Sequence, residues 1–172
     1  VLIPDPFYQI YSGAAIMAGA EPVYVPTTEE TGFLPDFLAL PADQLERAAL
    51  AYLCSPSNPQ GAVASLNQLK AYVRLARDLD FILATDECYC EIYCGAPPPG
   101  IIEACATDDG HLRNVIAFHS LSKRSNVPGL RSGFVVGDSD LIMDFARLRQ
   151  YTGGASPGPI LAAATSLWKD EA

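Results

Sequence analysis

The sequence predicts an α/β fold: a three-layer α/β/α arrangement around a mostly parallel sheet. Three observations predict it. Short apolar runs recur along the chain and alternate with amphipathic stretches of helical period. Those runs are apolar almost throughout, as strands covered by helices on both faces must be. The chain also has 172 residues, 49% hydrophobic and 18% charged, enough for one domain with a sizeable core.

Each element can be justified in order. The opening VLIP reads as a short buried strand, residues 8–18 as a helix stopped by Gly19, and EPVYVP as a second strand. LPADQLERA reads as a short helix with Pro41 near its first turn, where a missing N–H is tolerated. ALAYLCS is the third strand. SLNQLKAYVRLARDLD is the clearest helix: Ser65 is placed to cap it, and Leu66, Leu69, Val73, Ala76 and Leu79 mark one face. FILAT, NVIAFH and SGFVVG supply the fourth, fifth and sixth strands. GAPPPG, residues 95–100, is a loop, since neither helix nor strand tolerates it. Residues 139–150 and 159–169 read as helices.

Composition excludes several function classes. A net charge of −9 argues against nucleic acid and against an anionic membrane, both of which need clustered Lys and Arg. No apolar run reaches the ~18–20 residues of a membrane span. The five cysteines, Cys54, Cys88, Cys90, Cys94 and Cys105, read as reduced thiols of a cytoplasmic protein. Cys88, Cys90 and Cys94 lack a companion pair at zinc spacing, and His111 and His119 lie well downstream, so no metal is expected. The first residue is Val1 and the chain opens directly on a strand, so a piece of a longer protein is expected.

In a parallel α/β sheet, ligands bind beyond the carboxyl ends of the strands. After AYLCS comes PSNPQG, after FILAT comes DECY, and after IAFH comes SLSK. Asn58, Asp86, Tyr89, Ser120, Ser122 and Lys123 are therefore expected along one rim, with Arg131 eight residues beyond the lysine. Each string alone is an ordinary turn or cap, whereas their coincidence on one edge marks a pocket. A lysine whose amine is neutral forms an imine with an aldehyde. Pyridoxal phosphate carries that aldehyde, together with a phosphate, a pyridine nitrogen and a phenolate oxygen. Arg131, Ser120 and Ser122 suit the phosphate. Asp86 suits the ring nitrogen, and Asn58 and Tyr89 suit the phenolate.

SLSK followed by GLRSG, DECY and SNPQG resembles the signature blocks of the fold-type-I, class I/II aminotransferases, in order and in approximate spacing. The resemblance implies a pyridoxal 5'-phosphate enzyme with Lys123 as Schiff-base and proton-shuttling residue and Asp86 on the pyridine nitrogen. It further implies Asn58 and Tyr89 at the phenolate oxygen, Ser120 and Arg131 at the phosphate, and Ser122 at a less uniform position nearby. The string PFY places Tyr8 where the family stacks an aromatic on the cofactor ring. Gln60 departs from the family's more frequent threonine, outside the matched contacts.

By the same resemblance, residues 1–172 form the central part of the large cofactor-binding domain, without the N-terminal segment or the C-terminal small domain. The implied reaction is ping-pong transfer between an amino acid and a 2-oxo acid, in a homodimer whose isolated fragment is inactive. HSLSKRSNVPGLRSGF, DECYCEIY and the PPPG loop look most like the succinyl-diaminopimelate aminotransferase branch of lysine biosynthesis. Broad aspartate, alanine and kynurenine-type enzymes, and a non-catalytic relative without cofactor, stay open as alternatives. Two other readings fail on missing parts. S-x-x-K in SLSK lacks the companion blocks of penicillin-binding enzymes, and FILATDE lacks the phosphate-cradling loop of nucleotide hydrolases.

Overall fold

The computed structural model describes residues 1–153 and 155–170. Six strands form one sheet: β1 (Leu2–Asp5), β2 (Val23–Pro26), β3 (Leu50–Cys54), β4 (Ile82–Asp86), β5 (Val115–Ser120) and β6 (Gly133–Gly137), in the order β2-β1-β3-β4-β5-β6. All neighbours are parallel except β6, which runs antiparallel to β5. The helices are α1 (Ile10–Met17), α2 (Ala42–Glu46), α3 (Leu66–Asp78), α4 (Ile101–Ala106), α5 (Leu121–Arg124), α6 (Ser139–Thr152) and α7 (Gly158–Trp168). The predicted fold class holds, and every predicted strand and helix is present with its ends shifted by only a few residues.

Apolar side chains alternate between the sheet's two faces and account for the layers. Leu2, Leu53, Leu83, Val115 and Ala117 pack into one cluster with Leu69, Tyr72, Val73 and Ala76 of α3 and Ile101, Ala104 and Cys105 of α4. Ile3 and Cys54, one residue out of phase, pack on the other face with Tyr11 and Ala15 of α1. The expected stripe on α3 is buried at Leu69, Val73 and Ala76. Ser65 caps this helix by accepting the Gln68 N–H, while the Gln68 side chain accepts the Ser65 N–H, a reciprocal capping box.

Two helices were not predicted. The four residues of α5 and the six of α4 are too few to show a period. The start of α4 is set from elsewhere in the fold: the buried Glu87 carboxylate accepts the Ile101 N–H at 2.7 Å. A terminal donor is thus satisfied by a side chain with no local signature.

β6 meets β5 so closely that Gly133 has no room for a side chain. A Cβ there would overlap the His119 carbonyl oxygen, a backbone atom that cannot swing aside. Gly133→Ala is expected to destabilise the fold by about 1–3 kcal/mol. Urea unfolding checks this: the midpoint should fall with an unchanged m-value.

Candidate active site

The strand order reverses direction between β1 and β3, so the crevice beyond their carboxyl ends is where such a sheet leaves room for a ligand. Register keeps the neighbouring ends level. Cys54 stands opposite Asp86, Asp86 opposite Phe118, and Ser120 opposite Gly133. The segments after β1, β3, β4 and β5 therefore open on one edge. They carry Tyr8, Asn58, Tyr89 and the Ser120–Lys123 segment, while Asp86 and Ser120 close β4 and β5 themselves.

Asp86 is held by two neutral donors. The Tyr11 phenol donates to Oδ2 at 2.6 Å, and the Cys88 N–H donates to Oδ1 at 3.1 Å. Lys123, exposed on α5, sets its Nζ 5.6 Å from the centre of the Tyr89 ring. Burial, with the Asp86 carboxylate adding to it, pushes the Tyr89 phenol up. Tyr8 meets Tyr11 edge to face at 5.8 Å. Asn58 and Tyr89 share a cavity of about 620 Å³ that is also walled by Ser57, Tyr93, Cys94 and Pro97.

Ser120 ends β5 and caps α5. Its Oγ accepts the Ser122 N–H at 3.1 Å, which leaves the hydroxyl proton directed elsewhere. Arg131 sits at φ 52°, in the left-handed region, at the end of a short 3-10 turn. One of its N–H groups donates to the Pro128 carbonyl at 2.8 Å, which fixes part of the guanidinium fork. The Leu121 N–H donates to the Ser132 carbonyl at 3.1 Å and ties the arginine's segment to the lysine helix. Gln60 donates to Thr27 at 2.8 Å, so this departure from the family block braces a loop.

The sequence reading missed three residues. Tyr11 lies three positions beyond Tyr8 and could have been found as a second aromatic aimed at the same edge. Glu87 and His119 had no such signal. They meet at 3.4 Å between Oε2 and Nε2 beneath the edge. Burial raises the Glu87 carboxyl and lowers the His119 imidazole. The Cys88–Cys94 run does not converge. Cys90 Sγ lies 3.8 Å from His119 Nδ1, Cys88 Sγ lies 3.9 Å from the Phe118 carbonyl, and Cys94 is exposed.

Another cavity, about 580 Å³, lies at the opposite edge among Arg77, Asp109, Arg113 and Asp138. It receives nothing from the strand ends described above. At the rim itself, neither Lys123 nor Arg131 has a carboxylate partner among the described residues, and Asp86 has no cation. Unpaired charges of both signs along the carboxyl edge of an α/β sheet are the kind of setting in which such folds bind ligands with charged ends.

Comparison with known proteins names the family. Residues 1–171 match the profile described as aminotransferase class I and II. The LL-diaminopimelate aminotransferase of Desulforudis audaxviator is 40% identical over 151 residues, covering 87% of this chain and 37% of the relative. The enzyme of that name from Aquifex aeolicus is 38% identical over 150 residues, covering 87% and 38%. Among solved structures, aminotransferase AspB from Helicobacter pylori superposes with a TM-score of 0.93 at 44% identity, covering 99% of this chain and 45% of that one. A probable N-succinyldiaminopimelate aminotransferase from Thermus thermophilus superposes at 0.90 with 27% identity, covering 98% and 44%. The chain belongs to the class I and II aminotransferases, a family of pyridoxal-phosphate enzymes, and spans less than half the length of these relatives.

Proposed function

We propose that this chain is the cofactor-holding part of a pyridoxal-phosphate-dependent aminotransferase that moves an amino group between an amino acid of the diaminopimelate type and a 2-oxo acid. One observation carries the reading: among the described residues, two cations without carboxylates and one carboxylate without a cation gather at one sheet edge of a protein of net charge −9. Opposite charges held apart, and not paired with each other, suit a ligand with complementary charges. The donor set therefore fits the cofactor.

When bound, the cofactor supplies an aldehyde that takes up amino groups and a protonated ring that draws electrons from the substrate's α-carbon. The chain's own residues do the rest. Arg131 and the Ser120 hydroxyl would hold the phosphate, with Ser122 beside them. Asp86 would favour the protonated ring nitrogen, Tyr89 and Asn58 would donate to the phenolate oxygen, and Tyr8 would lie against the ring. The Lys123 amine would hold the cofactor's aldehyde and, when free, would take the proton from the substrate α-carbon and hand it to the cofactor's former aldehyde carbon. The 620 Å³ cavity walled by Asn58 and Tyr89 offers room for a substrate side chain.

The finer assignment is N-succinyl-L,L-diaminopimelate with 2-oxoglutarate as acceptor, in a cytoplasmic homodimer serving lysine biosynthesis. The sequence blocks and the Thermus thermophilus structure support the succinylated substrate, whereas the named relatives at 38–40% identity support the free diamino acid. Assaying the whole protein with 2-oxoglutarate against both diaminopimelates, aspartate, alanine and kynurenine separates these. A diaminopimelate is expected to exceed the others in kcat/KM by about tenfold or more, and the succinyl form to lead. Leadership by aspartate would overturn the substrate class, and no turnover with any donor would overturn amino transfer.

A further inference from the structure

Arg124 follows Lys123 on α5 and ties that helix to two other segments. Its Nη1 donates to the Leu167 carbonyl at 2.6 Å and its Nη2 to the Asp170 carbonyl at 2.7 Å, both at the carboxyl end of α7. The guanidinium carbon lies 5.3 Å from the centre of the Trp168 ring. Trp168 is seated in turn on Phe134 of β6, edge to face at 4.7 Å, and Phe134 stacks on His119 of β5. The Arg124 Nε stands 3.7 Å from Oε1 of Glu91. Glu91 belongs to the turn that carries Tyr89, closed by the Ile92 N–H donating to the Tyr89 carbonyl at 2.9 Å.

Any cation near the last carbonyls of α7 would satisfy that helix end. Arg124 does more, because its planar fork meets two carbonyls and a carboxylate with three nitrogens of one rigid group. The helix that carries Lys123 needs such a hold. A single turn of four residues has too few internal hydrogen bonds to persist alone. At its start, Leu121 is fully buried and Ser120 caps it. At its end, Arg124 supplies the attachment. Lys123 lies between these two anchors, with its amine 5.6 Å from the centre of the Tyr89 ring.

We propose that Arg124 is a positioning residue for Lys123: its guanidinium clasps the carboxyl end of α7 and Glu91 together, which keeps the lysine's helix against the Tyr89 turn and the lysine amine over the Tyr89 ring. The inference rests on the functional reading given above in taking Lys123 as the reacting amine. The placement of that amine is a property of the protein without cofactor.

The test compares the unmodified whole protein with Arg124→Lys. The substitution keeps a charge at the end of α7 but gathers its donors at one point, so a role as helix-end charge survives it and the proposed role does not. In the cofactor-free protein, lysine amines are labelled by reductive ¹³C-methylation, and the Lys123 signal is identified by its absence from Lys123→Arg. That signal is expected upfield of other exposed lysines, shielded by the Tyr89 ring, and is expected to move downfield in Arg124→Lys. An unshielded signal in the unmodified protein, or an unmoved one in Arg124→Lys, would overturn the inference. When pyridoxal phosphate is added to unmethylated protein, the Lys123 amine bonds to the aldehyde and one water is released. The visible band is expected to grow about tenfold more slowly in Arg124→Lys, while the affinity for inorganic phosphate is unchanged. An equal rate, or a loss of phosphate affinity as large as the loss of rate, would overturn the inference. If Arg124→Lys fails to fold, Glu91→Gln leaves the clasp on α7 and loosens the tie to the Tyr89 turn. The Lys123 signal should then move downfield as well, and no movement would count against the inference in the same way. If the unmodified protein forms no visible band while its Lys123 signal is shielded, the functional reading falls and the placement of the lysine stands.

Discussion

Lys123→Ala in the whole protein is expected to lose the visible absorbance that pyridoxal phosphate gains on bonding to a lysine, together with nearly all amino transfer. Nothing else at the rim can replace it. Among the described residues the other nearby cations are Arg131, committed in part to the Pro128 carbonyl, and Arg124, turned toward the Leu167 and Asp170 carbonyls. Both are guanidinium groups, which do not deprotonate to a nucleophile. Loss of the proton carrier alone costs about 10²–10⁴ in rate, and loss of the anchor adds to it. Lys123 is exposed and makes no ion pair among the described residues, so truncation should leave the thermal midpoint within about 2 °C. The visible absorbance, borohydride fixation followed by peptide mass, and a melting curve check these expectations together. An unchanged spectrum would remove Lys123 from the site.

Asp86→Asn is expected to separate anchoring from turnover. The substitution keeps the volume but deletes the charge opposite the ring nitrogen, so the lysine can still hold the cofactor while the ring loses its pull on electrons. A fall in kcat of about 10²–10³ is expected, the size seen when one preorganised electrostatic partner is removed, with the visible band retained. The asparagine also turns an N–H₂ toward either the Tyr11 hydroxyl or the Cys88 N–H, both donors to the present carboxylate. One of them is then left without an acceptor, and about 1–3 kcal/mol of stability should go with it. Steady-state kinetics beside urea unfolding measures the two effects separately. Equal kcat in the variant would remove Asp86 from the chemistry.

The contrast between the two variants follows from where the residues sit. Lys123 stands on a four-residue helix, exposed and bonded to little, which suits the mobile role proposed for it. Asp86 ends a central strand with both oxygens held, which suits the fixed role proposed for it. The lesser brace, Glu87, reaches through the interior to start α4 and so holds the proline loop that walls the cavity.

Much of this is legible in the sequence alone. The period of the apolar runs fixed the element types, because burial on both faces of a parallel sheet leaves little choice of residue. The Ser65 capping box was readable because its partners are local. The rim was readable because strand ends in such a sheet all face one way, so SNPQG, DECY and SLSK had to meet there. What the sequence could not disclose were contacts set by distance in space. Tyr11 and Asp86 are 75 residues apart, and only the pairing of β1 with β3 and β3 with β4 brings the phenol to the carboxylate. Glu87 and Ile101 meet across a loop that carries no period of its own. Local patterns record what a segment buries, whereas the partners of a buried polar group are chosen by the packing of whole elements, and that choice was made only in the tertiary structure.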